Sequence, residues 1–304
     1  MECATPWFWN ADTAQRLRPG CPADPPASIA YVTDEKSLIA DLIRKLATPA
    51  GSLRDDHAEL ELYFTGAMEP LLRLLGQAEH QGSGMAHFAV RHLIARAMSD
   101  LIASVHLILH GYLNQGYGTM RTAYEALDIV DLLATGEEEA AKWMFTEKGY
   151  AEFSPSAVRK RLGRPKFDEI YSKLSEFTHP RIEAAQLGTV GAHPPGAENQ
   201  EMTIYVGPFL IDETPDLWLA TTFLVPLTFG VLARQAHLVT SGAIQADAWD
   251  LTAMAMQNSL IGMAELIARR LADFDLDASD FAETWKAMPE MVNGMRRDAG
   301  LAPL

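Results

Sequence analysis

Residues 52–75 read SLRDDHAELELYFTGAMEPLLRLL, and the spacing of their apolar side chains decides the fold class. The apolar positions recur at intervals of three and four residues, which is typical of one face of an α-helix. They are Leu60, Phe64, Met68, Leu71, Leu72 and Leu75. Ser52 and Asp55 form an S-x-x-D signal that favours a helix start just before this stripe. A long helix is therefore predicted here, with a kink at Pro70.

The same helical spacing continues along most of the chain. Further helices are predicted over about Met85 to Leu113, Thr119 to Ala134, Pro165 to Thr178, Thr214 to Thr240, 246–273 and 279–298. Gly116 and Gly118 either break the first of these or mark a close approach of two backbones. The sequence predicts an all-α protein, a helical bundle without a repeat of fixed period.

Two stretches depart from this pattern. Residues 1–33 are rich in proline and are predicted to form an irregular N-terminal arm, followed by a single helical domain over 34–304. Within that domain, residues 185–213 are rich in glycine and proline and contain Met202-Thr203-Ile204-Tyr205-Val206, the best strand pattern in the chain. A small β-hairpin-like excursion is predicted near 185–213, with the C-terminal helices 246–298 following it.

Composition indicates an acidic protein. It has 25 Lys and Arg against 40 Asp and Glu, a net charge of −15, which repels polyanions over much of the surface. Cys3 and Cys21 are the two cysteines, so a reducing cytoplasm is the expected location. The uncharged runs Leu101–Met120 and Leu217–Ala233 contain polar residues and are read as buried core helices, so no membrane partner is expected. No cofactor is predicted.

The best candidate functional residue is His179, at the end of the predicted helix Pro165 to Thr178. Tyr171, Ser175 and His179 share one face of that helix at intervals of four residues. A histidine beside hydroxyl groups can act in acid–base catalysis or hold an anion. The alternative is structural, a histidine that caps the last carbonyl groups before Pro180.

A charged strip on another predicted helix is the second candidate. Arg121, Glu125 and Asp128 are spaced at i, i+4 and i+7, next to apolar residues. Such a strip is either a solvated edge or a paired interior network. In the second case the sequence predicts that Arg121 or Glu125 lies within hydrogen-bonding reach of Tyr171, Ser175 or His179.

A short basic island precedes the His179 helix. Residues 159–181 carry seven basic and three acidic side chains in an otherwise acidic chain. The predicted ligand-binding residues of this island are Arg159, Arg161, Arg164, Lys166 and Lys173. Arginine suits phosphate geometry, and neutralised phosphates dominate nucleic-acid binding, so the 159–173 segment is a candidate site for RNA or a nucleotide. The alternative is a solvated helix face.

A metal site is a third alternative. His106 and His110 are spaced at i and i+4 on an apolar helix, which suits two ligands of one metal ion. A third ligand would come from elsewhere in the chain. The structural reading is two histidines at the edge of the core.

Taken together, Tyr171-x2-Leu174-Ser175-x3-His179-Pro180 and Arg121-x3-Glu125 resemble a group of bacterial all-α proteins of the HEPN superfamily. The resemblance covers roughly residues 85–240. It implies a catalytic or binding centre of His179, Arg121, Glu125, Tyr171 and Ser175, and a homodimer, since HEPN sites are usually completed at a dimer interface. Active members are metal-independent ribonucleases with R-x4–6-H on one helix. Here Lys173 is the only basic residue at the corresponding arginine positions.

The sequence therefore predicts a HEPN-like binding or regulatory protein, acting in bacterial defence or stress, with an anion- or nucleotide-binding face around His179. One alternative is a metal-independent ribonuclease that uses His179 as its acid–base residue. The other is a metal-dependent helical-bundle enzyme that uses His106 and His110.

Overall fold

Helices make up nearly all of the chain that the structure describes. The computed structural model describes residues 55–78, 84–146, 149–165, 168–178, 189–192, 203–206, 215–298 and 301. These residues all belong to one of the chain's two compact units, Leu46–Leu304, so the predicted arm over 1–33 lies outside the described residues. The predicted all-α class is confirmed.

Twelve helices lie within the described residues. They are α1 (Asp55–Gln77), α2 (Met85–Leu109), α3 (Leu113–Leu133), α4 (Glu137–Phe145), α5 (Gly149–Glu152), α6 (Pro155–Arg161), α7 (Glu169–Thr178), α8 (Asp216–Thr221), α9 (Leu224–Thr240), α10 (Ala246–Ala272), α11 (Ser279–Lys286) and α12 (Met288–Asp298). Between α7 and α8, strands β1 (Thr189–Ala192) and β2 (Thr203–Val206) pair antiparallel, with Thr189 opposite Val206. Most of 185–213 lies outside the described residues, so the hairpin-like excursion stays a prediction.

Several predicted helix boundaries are wrong. The helix predicted over about Met85 to Leu113 ends at Leu109, and the helix predicted from about Pro165 begins at Glu169. The third helix begins at Leu113, so Gly116 and Gly118 lie inside it and do not interrupt it. The helices predicted over Thr214 to Thr240 and 279–298 are each divided in two, α8 with α9 and α11 with α12. Apolar spacing continues across such short breaks, because the flanking helices pack on the same core, and the periodicity therefore does not reveal them.

The other prediction for Gly116, a close approach of two backbones, is correct. A Cβ atom at Gly116 would lie 2.5 Å from Cγ1 of Ile108. The absence of a side chain therefore allows α3 to pack closely against α2. The turn between them contains Gly111 at φ +83°, a conformation that favours glycine. Among the described elements, α2 and α3 are the most extensively packed pair, and α3 also contacts α4, α6, α7, α8 and α9.

The long helix α10 packs against α1 on another side of the core. A Cβ atom at Gly262 would lie 2.5 Å from the ring of Tyr63, so these helices also approach closely. Helix α9 contacts α2, α3 and α10. Buried Gln235 on α9 donates to the carbonyl oxygen of Leu71 at 3.0 Å, and buried Trp249 on α10 donates to that of Leu232 at 3.0 Å. These bonds satisfy polar groups that the packing removes from water.

Two helical segments, Met85–Leu109 and Asp216–Thr240, are long and apolar enough to cross a membrane. This is weak evidence for a membrane protein, because the core helix of a soluble protein meets the same criterion. About half of each apolar stretch is buried within the protein, 50% in the first and 56% in the second. The expectation of no membrane partner stays a prediction.

Candidate functional site

Helices α3 and α7 meet at the guanidinium group of Arg121. Its Nε donates to Oε1 of Glu125 at 2.9 Å, one turn further along α3. Its Nη1 donates to the Thr178 hydroxyl at 2.9 Å, and its Nη2 donates to the Tyr171 hydroxyl at 3.2 Å. The predicted contact between Arg121 and Tyr171 is confirmed. We call Arg121, Glu125, Tyr171 and Thr178 the Arg121 cluster.

A further hydrogen bond within the Arg121 cluster joins Tyr171 to Glu125. The Tyr171 hydroxyl accepts from Arg121 and donates to Oε1 of Glu125 at 3.3 Å. The Arg121 and Glu125 side chains are each 24% exposed, so the pair is partly shielded but still reaches solvent. A guanidinium has five N–H donors. Among the described residues, these three bonds use three of them, so two N–H groups remain to bind a ligand.

The remaining two residues of the predicted centre are Ser175 and His179. Ser175 is buried, and its hydroxyl oxygen has no hydrogen-bond partner among the described residues. His179 lies outside the described residues, although it follows Thr178 directly in the sequence. The role of either residue in a functional centre stays a prediction.

One residue of the basic island, Arg159, is buried in the interior of the protein next to Tyr171 of the Arg121 cluster. Arg159 on α6 has a 0% exposed side chain. Its Nε donates to Asp128 of α3 at 2.8 Å, and its Nη2 donates to Asp168 at 3.0 Å. The guanidinium carbon lies 4.7 Å from the ring centroid of Tyr171 and 5.0 Å from that of Tyr124. Arg159 is therefore a buried structural cation and is not presented to a ligand at the surface.

Arg164 extends the same network to α9. It donates to Asp128 at 2.6 Å and to Asp131 at 2.7 Å. Asp131 also accepts from Arg234 of α9 at 2.7 Å, and its other oxygen lies 3.0 Å from Nε2 of His237. Two carboxylates on α3 thus connect α3 to the segment after α6 and to α9.

The other described residues among the predicted ligand-binding members of the island are also paired. Arg161 forms an ion pair with Glu139 of α4, and Lys173 contacts Glu176 on its own helix at 3.2 Å. Lys166 lies outside the described residues. The island is therefore neither a solvated face throughout nor one exposed cationic patch, because each described residue among its predicted ligand-binding members has a carboxylate partner. A ligand-binding role for Arg161, Arg164, Lys166 and Lys173 stays a prediction.

The pKa shifts reflect this pairing. Burial by itself raises the pKa of Asp131, but the hydrogen bond to His237 and the charges of Arg234 and Arg164 outweigh burial and lower its pKa to about 2. Burial and the hydrogen bond to Asp168 raise the pKa of Tyr124 to about 12. Burial also opposes ionisation of Asp168, but its bonds to Tyr124 and to the Tyr171 backbone N–H hold its pKa below the ordinary value. Asp131 and Asp168 therefore stay ionised at neutral pH.

A groove opens beside the Arg121 cluster. It has a volume of about 420 Å³, within the range of small-molecule sites. Its polar lining consists of Arg96, Arg121, Thr122, Glu125 and Ser154. Its apolar lining consists of Leu93, Ala126, Ile129, Trp143, Phe153 and Pro155. The exposed side of the Arg121 cluster therefore faces a space that a small molecule can occupy.

The candidate metal ligands His106 and His110 lie next to each other on α2 and the turn that follows it. The rings of His106 and His110 lie 4.1 Å apart, but Nδ1 of His110 lies 2.7 Å from the carbonyl oxygen of His106. Within the described ranges, no group of three His, Cys, Asp or Glu residues could hold a metal ion. No described residue therefore completes a metal site with this pair, and the metal-dependent alternative has no further support.

Several site residues were not found from the sequence. Asp131 follows Asp128 by three residues and so continues the charged strip, which is a signal that could have identified it. Asp168 lies just before α7, and its carboxylate accepts from the backbone N–H of Tyr171 at 2.7 Å, a helix-capping pattern readable in sequence. Arg96, Phe153 and Arg234 have no such signal, since only tertiary packing brings them to the site.

Comparisons of the chain with protein-family models, with curated proteins and with solved structures find no match.

The burial of Arg159 generates a stability prediction. Arg159→Met leaves Asp128 without one of its cationic partners in the interior, and we expect a loss of about 3–5 kcal/mol in the free energy of unfolding. Arg161→Met is the matched control from the same helix. Its side chain is 30% exposed, and we expect a loss of no more than about 1 kcal/mol. Urea unfolding monitored by circular dichroism measures both, and equal losses would contradict the structural role of Arg159.

Asp131 generates a pH prediction. In the unfolded chain its pKa is near 3.8, whereas in the folded protein it is about 2. The stabilisation is therefore complete above pH 5 and is lost as the pH falls from about 4 through 2, about 2 kcal/mol in all. Urea unfolding should show that Asp131→Asn destabilises the protein more at pH 7 than at pH 3. Exposed Asp298, changed to Asn, is the control and should show no such difference. An Asp131→Asn effect that is the same at both pH values would count against this assignment.

Proposed function

We propose that this chain is a HEPN-like helical binding or regulatory protein of bacterial defence or stress response, located in the cytoplasm. We further propose that its ligand is an anion or nucleotide contacted by Arg121. The observation that carries this proposal is the position of Arg121, which three hydrogen bonds from α3 and α7 fix at the edge of the groove. A cation held in one orientation can bind an anion without first losing side-chain freedom.

A small anion is better supported than a long RNA as the ligand. Polyanion binding draws its affinity from cations that neutralise phosphates, and four described basic residues of the island, Arg159, Arg161, Arg164 and Lys173, already have carboxylate partners. The groove has the size of a small-molecule site and includes Arg121 in its lining. The hairpin-like segment at 185–213 and a homodimer remain part of the proposal as further features of a HEPN-like protein.

Isothermal titration calorimetry with inorganic phosphate, adenosine monophosphate and guanosine monophosphate tests this function. We expect at least one of them to bind, and Arg121→Gln to weaken that binding about tenfold or more, because hydrogen bonds to charged groups contribute roughly 1.5–3 kcal/mol. Arg73→Gln is the matched control, since Arg73 also pairs with a glutamate one turn away on its helix, Glu69, but lies outside the groove. Equal binding by the Arg121 variant would rule out the proposal, and no binding of any of the three probes would rule out a phosphate or nucleotide as the ligand.

A metal-independent ribonuclease is the second candidate, and one contact favours it. Lys173 stands where the resemblance expects an arginine, but Arg121 of α3 donates to Thr178, the residue directly before His179. An arginine from another helix therefore lies at the end of α7, and in this candidate it replaces the one missing from the motif.

The ribonuclease candidate predicts that the protein cleaves labelled RNA in the presence of EDTA. Both His179→Ala and Arg121→Gln should abolish the cleavage, whereas Arg73→Gln should not change it. Absence of cleavage by the unmodified protein would eliminate this candidate. Cleavage that survives His179→Ala would assign the activity to other residues or to a contaminant.

A further inference from the structure

The polarity of the groove changes along its length. Along α3 the residues that line it are polar first, at Arg121, Thr122 and Glu125, and then apolar, at Ala126 and Ile129. A helix rises 1.5 Å per residue, so this lining extends over about 12 Å from Arg121 to Ile129. A ligand that fits it therefore has a polar end and an apolar body of matching length.

The polar end favours an anionic group. Arg121 and Glu125 balance each other, and Arg96 is a further cation in the lining. Arg96 approaches Asp100 of its own helix only to 3.6 Å, and its side chain is 65% exposed. Asp100 is not part of the lining, so the groove itself carries one more positive than negative charge. A carboxylate would neutralise this charge and a phosphate group would more than neutralise it, and either could accept hydrogen bonds from the guanidinium groups.

The apolar part of the lining favours a planar ring. Two aromatic side chains, Trp143 of α4 and Phe153 after α5, line the groove together with aliphatic residues. Aromatic faces bind rings by stacking or by edge contacts, in addition to the apolar area that they bury. A bare inorganic anion would leave this surface in contact with water, and a neutral hydrocarbon would leave the guanidinium groups unused.

We propose that the groove binds a small planar aromatic anion, a ring system that carries one carboxylate or phosphate group. Its anionic group would bind at Arg96 and Arg121, and its ring would lie against Trp143 and Phe153. This inference rests on the proposed function, because it specifies the ligand class of the same Arg121 cluster. Two sources share this chemistry, nucleoside monophosphates and aromatic carboxylates.

Calorimetric titration of the full chain with four probes tests the inference. The probes are adenosine monophosphate, 2-naphthoate, its neutral analogue 2-naphthamide and inorganic phosphate. We expect at least one ring-bearing anion to bind about tenfold more tightly than both inorganic phosphate and the neutral amide. Binding of the nucleotide but not of naphthoate identifies a nucleotide ligand, and the reverse identifies an aromatic carboxylate.

Variants of the aromatic wall supply the second readout. Trp143→Ala should weaken binding of the ring-bearing anion about tenfold, as expected for loss of a stacking contact, and Trp143→Phe should retain most of it. Phe145→Ala is the matched control on the same helix, because Phe145 is 71% exposed and does not line the groove. Thermal melting establishes that each variant is folded before its titration is interpreted.

The outcomes separate this inference from the function on which it rests. If anions bind in an Arg121-dependent way, but a ring adds no affinity and Trp143→Ala has no effect, the ring site is overturned and the anion-binding function stands. If no probe binds, or if Arg121→Gln leaves binding unchanged, the proposed function fails as well.

Discussion

The buried ion pair between Asp128 and Arg159 is the constraint on which the arrangement of this protein depends. Both side chains lie in the interior, where an unpaired charge costs several kcal/mol, so α6 must lie against α3 at this point. Arg159 also binds Asp168, and Asp168 accepts from the first turn of α7. The position of α7 is therefore linked to the same pair, and the hydrogen bonds of Arg121 to α7 require that position.

This network accounts for a contrast between the interior and the groove. In the interior, Arg159 and Arg164 of the basic island are paired with carboxylates of α3 and with Asp168. Among the described residues, the bonds of Arg121 to Glu125, Tyr171 and Thr178 leave two of its N–H groups for a ligand at the groove, and Arg96 is mostly exposed. The cations that line this groove, Arg96 and Arg121, thus belong to α2 and α3.

The sequence predicted the helical class and part of the site, and the reason is periodicity. The spacing of Arg121, Glu125 and Asp128 places them on one helix face, which is a local property of α3. The same argument placed Tyr171 on the face of α7 that meets Arg121. Periodicity could not show that Arg159 is buried. A run of basic residues has the same pattern on a solvated helix and on a helix that packs against carboxylates. Periodicity also missed the helix breaks before Leu224 and Met288, where apolar spacing continues through the interruption.

By itself, the sequence determined which segments are helical and which faces of α3 and α7 carry the polar groups, because both depend on spacing within a few residues. Only the tertiary structure decided the partners of those groups. Asp131 meets Arg234 from more than a hundred residues away, and Trp143 and Phe153 reach the groove from separate helices or turns. Such contacts depend on how the helices pack around the Asp128–Arg159 pair, and packing is a property of the whole core that no local pattern contains.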